Sequence, residues 1–205
     1  MNIYCIEQNY LSHKRERKNV VPSSDNILFI KSEEGLLPKG VAFEFEKFDD
    51  FKLYGQCELV LRISKDGKQI SEKDASKFYD AITTGINFTE IDFHDELNGL
   101  NVDWEIAKGW PGSSIIGEWT PASDFKNKDD INFCVYKNRE MMQIGNSELM
   151  IRSFDEIISL ISELYPLQKD DLIFTGSPLG ITEIFPNDAL ELFLEDDTVF
   201  EFEVG

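Results

Sequence analysis

Short segments rich in β-branched and aromatic residues recur along this 205-residue chain, and few helical patterns separate them. Such segments are typical of β-strands. Because the predicted strands outnumber the helices and seldom alternate regularly with them, the pattern favours a strand-rich α+β fold, or a mostly β fold, over a doubly wound sheet. The predicted strands are Asn2 to Ile6, Ile27 to Lys31, Val41 to Phe45, Leu53 to Ile63, Ile131 to Tyr136, Leu172 to Thr175, Leu190 to Leu194 and Val199 to Val204.

Helical signals are fewer. Tyr10 to Lys18 is predicted to form a helical turn. Ser153-Phe154-Asp155-Glu156 has the pattern of a capping box, and we expect Pro166 to end the helix that follows. A further helix is predicted after Ser71, where apolar residues recur at helical spacing at Ala75, Phe78, Tyr79 and Ile82.

The formal net charge of −19 restricts the partners of the chain. A phosphate backbone binds a basic surface, so we expect no nucleic-acid partner. No apolar run approaches the roughly 20 residues of a membrane helix, so we expect no membrane association. Solubility is the simplest reason for the charge, and a pocket for a small acid must supply its own positive charge.

Domain organisation and cellular location follow from what the sequence lacks. It has no internal repeat or Pro/Ser-rich linker, which predicts a single domain over residues 1–205. Cys5, Cys57 and Cys134 are odd in number and form no CxxC pair, as expected for reduced thiols. Met1 to Ile6 lacks the features of a signal peptide, so a cytoplasmic location is predicted.

Candidate site residues lie in two segments. Gln56-Cys57-Glu58 falls within the predicted strand Leu53 to Ile63, so alternation places Gln56 and Glu58 on one face. Asn87 lies near the start of Gly85 to Trp119, an irregular stretch rich in Gly, Asp and Trp. Long, weakly periodic stretches within compact domains are usually functional.

Several motifs in order along nearly the whole chain resemble the fumarylacetoacetate hydrolase family. Each motif alone is weak, and their shared order and spacing carry the resemblance. They are Asn9-Tyr10 with His13 and Glu16, Phe29-Ile30-Lys31, Gln56-Cys57-Glu58-Leu59, Gly85 to His94, Trp104 to Gly109, Gln143-Ile144-Gly145-Asn146-Ser147 and Thr175 to Gly180.

The resemblance implies a mixed β-roll or sandwich with flanking helices, usually a homodimer. Family members cleave, decarboxylate, hydrate or isomerise small 2-oxo or enolisable carboxylic acids. A divalent cation chelated by such an acid polarises its carbonyl and stabilises the enolate. The implied cofactor is Mg²⁺ or Mn²⁺, which a site of oxygen ligands suits.

The resemblance places the metal at Gln56, Glu58 and Asn87, where the family has Glu, Glu and Asp. Two of the three carboxylates are therefore amides, and the formal charge of the ligand set falls from −3 to −1. Two alternatives stay open. The amide oxygens complete a weak metal site, or Gln56 and Asn87 bond locally and no metal binds.

The catalytic residues implied by the resemblance are His13, Glu16 and Lys108. His13 and Glu16 would activate water from a lid helix within residues 1–40, and His is the natural base near neutral pH. Lys108 would supply positive charge to an anionic substrate. Seen without the family, a His-x-x-Glu pair is usually incidental and a lone Lys lies on the surface.

The implied substrate-binding positions are Thr175, Gly176, Ile91 and His94. Thr175 and Gly176 begin a loop whose hydroxyl and backbone could bind a carboxylate, although turn geometry alone explains the Gly equally well. Ile91 stands where the family has Arg, which removes a bidentate donor. His94 stands for Gln and is either a new donor or a structural His.

Two hypotheses result. In the first, the chain is an enzyme that acts as a hydrolase, decarboxylase or isomerase on a small 2-oxo acid with a divalent metal. In the second, it is a non-catalytic binding or regulatory homologue that has lost the metal site. The amides and the missing Arg favour the second hypothesis, whereas His13, Glu16, Lys108 and Thr175 favour the first.

Overall fold

A computed structural model describes residues 1–10, 27–43, 52–90 and 104–205 of the chain. Its larger sheet consists of β1 Asn2–Glu7, β2 Ile27–Ser32, β3 Leu53–Ile63, β4 Tyr79–Glu90, β5 Ser114–Ile116, β6 Thr120–Pro121, β9 Leu172–Phe174 and β10 Thr182–Ile184. The strand order is β2-β1-β9-β3-β4-β5, with β10 paired to β3 and β6 paired to β4. β1 and β9 run parallel while the other pairs are antiparallel, so the sheet is mixed.

A smaller antiparallel sheet consists of β7 Asn132–Lys137, β8 Glu140–Asn146, β11 Ala189–Leu194 and β12 Asp197–Glu203, in the order β12-β11-β7-β8. Side-chain hydrogen bonds link it to the larger sheet. The Thr84 hydroxyl donates to the Phe193 carbonyl at 3.0 Å, and Gln143 accepts the Cys57 N–H at 2.7 Å. The apolar core lies between these elements and includes Leu59, Ile82 and Leu192, each 0% exposed.

Two α-helices lie within the described residues, α1 Glu72–Ala75 and α2 Phe154–Leu164, with 3-10 turns at Glu33–Gly35, Trp104–Ala107 and Ser147–Leu149. Ser153 and Glu156 form the predicted capping box at the start of α2. Two reciprocal hydrogen bonds satisfy N–H groups that a helix start otherwise leaves unpaired. α2 packs Ile157, Ile158 and Ile161 into the core and ends before Pro166.

The strand-rich α+β fold is confirmed, and β3 has the predicted bounds. The helix predicted through Ala75, Phe78, Tyr79 and Ile82 is wrong beyond Ala75, since Tyr79 begins a strand of 12 residues. This strand pairs with β3 along its whole length, and that pairing overrides the local helical spacing. Val41 to Phe43 form no strand, and the predicted helical turn from Leu11 to Lys18 lies outside the described residues.

No α-helix within the described part of the chain is both long and apolar enough to span a membrane.

Candidate active site

The register of β3 and β4 brings Gln56, Glu58 and Asn87 onto one face. Gln56 and Asn87 are direct cross-strand partners, and Glu58 follows two residues after Gln56. Partners and alternate residues of an antiparallel pair share a face, so the three side chains converge as the sequence predicts. Glu58 and Asn87 are buried, and Gln56 is partly exposed.

Lys31 of β2 reaches into this cluster from the side. Its buried ammonium donates to the Asn87 side-chain oxygen at 2.7 Å, the Ser113 carbonyl at 3.1 Å, and the hydroxyls of Ser113 and Ser114 at 3.0 and 2.9 Å. Burial lowers the pKa of Lys31 to about 8, so the group still carries its charge at neutral pH. These acceptors satisfy a cation that would otherwise be costly to bury.

Lys108 brings a second ammonium to the same face. Its Nζ lies 2.5 Å from Glu7 Oε1 and 2.9 Å from Gln56 Oε1. It also lies 5.8 Å from the centre of the Phe29 ring. The Lys108 side chain is only 4% exposed, whereas that of Glu7 is 20% exposed. Water screens this pair weakly, so the ion pair is a strong constraint on both side chains.

Glu58 uses both of its oxygens within the protein. Oε1 accepts from the Asn87 amide nitrogen at 3.1 Å, and Oε2 accepts from the Gly176 N–H at 2.7 Å. Burial and, to a smaller extent, the negative charge of Glu7 raise the pKa of Glu58 to about 7. The Gly176 hydrogen bond, the charge of Lys108 and the Asn87 hydrogen bond act in the opposite direction.

Each lysine fixes the orientation of one amide. A lysine ammonium only donates, so the oxygens of Asn87 and Gln56 must face Lys31 and Lys108. The Asn87 nitrogen is then left to face Glu58, and the Gln56 nitrogen donates to the Ser177 hydroxyl at 3.1 Å. Neither amide can rotate by half a turn without placing one donor against another.

Two of the sequence motifs hold the loop that follows β9. Asn9 donates to the Thr175 carbonyl at 3.0 Å, and Gln143 donates to the Pro178 carbonyl at 2.8 Å. Gly176 adopts a φ of +96°, and a Cβ there would lie 2.9 Å from the Asn9 Cβ. Glycine is therefore required at the point where the loop N–H reaches Glu58.

The chain matches the family model of the fumarylacetoacetate (FAA) hydrolase C-terminal domain over residues 2–205. This chain belongs to the fumarylacetoacetate hydrolase family.

Two similar proteins match this chain over nearly its whole length. A mitochondrial oxaloacetate tautomerase of Caenorhabditis elegans is 29% identical over 202 residues, which are 98% of this chain and 94% of the relative. An inferred fumarylacetoacetate isomerase/hydrolase from Oleispira antarctica is 29% identical and has a TM-score of 0.87, with 100% of this chain and 93% of that chain covered.

Another solved structure with this fold is a fumarylpyruvate hydrolase from Pseudomonas aeruginosa in complex with Mn²⁺ and pyruvate. It is 23% identical and has a TM-score of 0.86, and the match covers 100% of this chain and 89% of that chain. At that identity the likeness supports the shared fold.

The structure brings Gln56, Glu58, Asn87 and Lys108 together. Thr175 is buried, and its hydroxyl donates to the Leu59 carbonyl at 3.0 Å, so this hydroxyl serves the fold. The Gly176 N–H is taken by Glu58. The other predicted positions, which are His13, Glu16, Ile91 and His94, lie outside the described residues.

The family resemblance implies a divalent cation, and such an ion needs several oxygens that converge on one point. The side-chain oxygens of Gln56, Glu58 and Asn87 instead accept hydrogen bonds from protein donors. The positive end of the Asn87 amide faces Glu58, where a ligand oxygen would be needed. In the described residues, no three His, Cys, Asp or Glu side chains are grouped to hold a metal. This donor set does not fit a divalent ion.

Sequence reasoning did not assign Glu7 or Lys31 to the site. Lys31 lies two residues after the buried Phe29, so strand alternation puts its side chain on the inner face. Glu7 ends β1, directly after the four buried residues Ile3 to Ile6 and two residues before the Asn9-Tyr10 motif. A charged residue at either position indicates a buried polar interaction. Its partners cannot be named until the order of the strands is known.

Proposed function

We propose that this chain is an enzyme that acts on a small 2-oxo carboxylic acid and isomerises it by proton transfer, as in keto–enol tautomerisation. The observation that carries the proposal is the Lys108 ammonium, which is held between the Glu7 carboxylate and the Gln56 oxygen. A buried cation beside a carboxylate is the combination that enolisation requires. The oxaloacetate tautomerase of Caenorhabditis elegans supports this choice of substrate class.

The reaction balances without a redox partner or water. A C–H bond next to the carbonyl breaks, an O–H bond forms at the carbonyl oxygen, and the reverse step restores the ketone. Lys108 would donate to the carbonyl oxygen and stabilise the negative charge that develops on it. Glu7, which is more exposed than Glu58, would carry the proton to and from carbon.

Hydrolysis and decarboxylation are the other reactions that the sequence predicts. Hydrolysis of a carbon–carbon bond needs an activated water, which was assigned to His13 and Glu16. Tautomerisation needs neither residue, so the described part of the site is sufficient for it. This difference favours isomerisation over hydrolysis.

Three expectations remain predictions. The resemblance implies Mg²⁺ or Mn²⁺, although the donor set described above does not fit such an ion. It also implies a homodimer, which light scattering of the purified protein would test. The cytoplasmic location was inferred from the thiols and from the lack of a signal-peptide pattern, whereas the Caenorhabditis elegans relative is a mitochondrial protein.

An assay of enol decay tests the proposed function. The ultraviolet absorbance of enol-oxaloacetate is followed with the protein in EDTA and again in Mn²⁺. We expect a rate above that of buffer, which Lys108→Met lowers by about 100-fold. Lys39→Met is the matched control because Lys39 forms an exposed ion pair with Glu118. No rate above buffer with oxaloacetate or acylpyruvates would instead favour a non-catalytic binding homologue.

A further inference from the structure

The charged side chains of the candidate active site balance one another. Glu7 and Glu58 each carry one formal negative charge, and Lys31 and Lys108 each carry one positive charge. Lys108 contacts Glu7 at 2.5 Å. Lys31 is connected to Glu58 through the Asn87 amide, with hydrogen bonds of 2.7 and 3.1 Å. With Glu58 ionised, the described cluster is formally neutral without any bound ion, whereas a divalent cation would add two positive charges in a buried place.

The charge balance also explains why Gln56 and Asn87 are amides. If Gln56 and Asn87 were Glu and Asp, the cluster would carry two negative charges, which a divalent cation would cancel. With amides, the oxygen of Gln56 accepts a hydrogen bond from the Lys108 ammonium, and the oxygen of Asn87 accepts one from Lys31. Hydrogen bonds from two lysines thus use the amide oxygens that a metal ion would need as ligands.

We infer that the Lys108 ammonium, held by Glu7 and Gln56, takes the electrostatic role of the divalent cation, so that the site binds a 2-oxo carboxylate without metal. Besides its part in proton transfer, Glu7 holds Lys108 in place through a contact of 2.5 Å between the two side chains. The inference takes one element from the proposed function, which is that the ligand is a 2-oxo carboxylate. The metal experiment below depends on no ligand.

The first experiment is a calorimetric titration of Mn²⁺ into the wild-type protein and into a Gln56→Glu/Asn87→Asp double variant. We expect no binding by the wild type at millimolar Mn²⁺, and binding by the double variant that is tighter by about 100-fold or more. Millimolar or tighter binding by the wild type, abolished by Glu58→Gln, would overturn the inference. The wild-type titration decides the question even if the double variant does not fold.

The second experiment uses pyruvate as the probe, in EDTA and in Mn²⁺. We expect the same affinity in both buffers, a loss of about 10-fold in Lys108→Met, and no loss in Lys39→Met. Binding that requires Mn²⁺ would overturn the inference. Absence of pyruvate binding in both buffers would overturn the proposed substrate class, and the Mn²⁺ titration would still decide whether the site takes a metal. The failure of one claim is therefore distinguishable from the failure of the other.

Discussion

The amide nitrogen of Asn87 lies 3.1 Å from Oε1 of Glu58 and donates a hydrogen bond to it. The orientation is imposed from the other side of the amide, where Lys31 donates to the Asn87 oxygen at 2.7 Å. A short chain of polar contacts therefore runs from Lys31 through Asn87 to Glu58 and ends at the Gly176 N–H. Each member is satisfied by the next, which makes the network sensitive to the loss of any one of them.

Asn87→Asp tests the orientation of the Asn87 amide between Lys31 and Glu58. The variant places a second carboxylate oxygen against Glu58, and we expect a loss of stability of about 1 to 3 kcal/mol at pH 8. Mn²⁺ should raise the melting temperature of the variant because the ion would sit between the two carboxylates. Thermal denaturation with and without Mn²⁺ measures both effects. The control is Asn127→Asp, an exposed position where the side chain can still accept the Asp129 N–H. Equal stability of the two variants would argue against the assigned orientation.

Lys31→Met tests the buried cation. The substitution removes a donor from four acceptors and releases the Asn87 amide, and we expect a loss of about 3 to 5 kcal/mol in urea unfolding. Lys77→Met is the matched control, since Lys77 forms an exposed ion pair with Asp74. That variant should lose less than about 1 kcal/mol. Similar losses in the two variants would contradict a special role of Lys31.

Gly176→Ala tests the loop that holds Glu58. The new Cβ would lie 2.9 Å from the Asn9 Cβ and 3.0 Å from the Ile6 carbonyl oxygen, so the loop must shift. Gly40 also has a positive φ, of +78°, but no atom lies within 4 Å of its ideal Cβ. Gly40→Ala should therefore lose only the conformational part, about 1 to 2 kcal/mol, and Gly176→Ala distinctly more. The difference between their unfolding free energies isolates the contact, and a difference near zero would contradict the described loop.

Glu58 predicts a defined pH dependence of stability. Its pKa is raised from an ordinary 4.5 to about 7 in the folded protein, so the folded state binds the proton more tightly than the unfolded state. The resulting stabilisation, on the order of 3 kcal/mol, is complete below about pH 4.5 and is lost as the pH rises through 7. Glu58→Gln should flatten this part of the profile, whereas the exposed Glu201→Gln should not. Urea unfolding between pH 4.5 and 8 gives the comparison. Parallel profiles for wild type and Glu58→Gln would contradict the raised pKa.

The elements that the sequence predicted well are those whose signals are local. In β3, apolar residues occupy alternate positions at Leu53, Cys57, Leu59, Leu61 and Ile63. Helix α2 begins with a capping box whose two hydrogen bonds join residues three apart. Tyr79 and Ile82 misled the prediction because β4 is buried on both faces, so its apolar residues need not alternate with polar ones. Their state is decided by pairing with β3, and this long-range contact leaves no mark in the local pattern.

The site shows the same division. The shared face of Gln56 and Glu58 follows from strand alternation, and Asn87 joins them through the family motifs. Glu7 and Lys31 could not be assigned because their partners lie 101 and 56 residues away in sequence. The exchange of carboxylates for amides was visible in the sequence. Lys108 was also predicted, but the contacts by which Lys31 and Lys108 orient those amides became visible only in the structure.

Anomalous diffraction at the manganese edge, from crystals grown with Mn²⁺, tests the central claim most directly. The claim predicts no anomalous peak among Gln56, Glu58 and Asn87, with Lys108 Nζ within hydrogen-bond distance of both Glu7 and Gln56. A strong peak there, bonded to the oxygens of these three side chains with Lys108 displaced from Gln56, would contradict it.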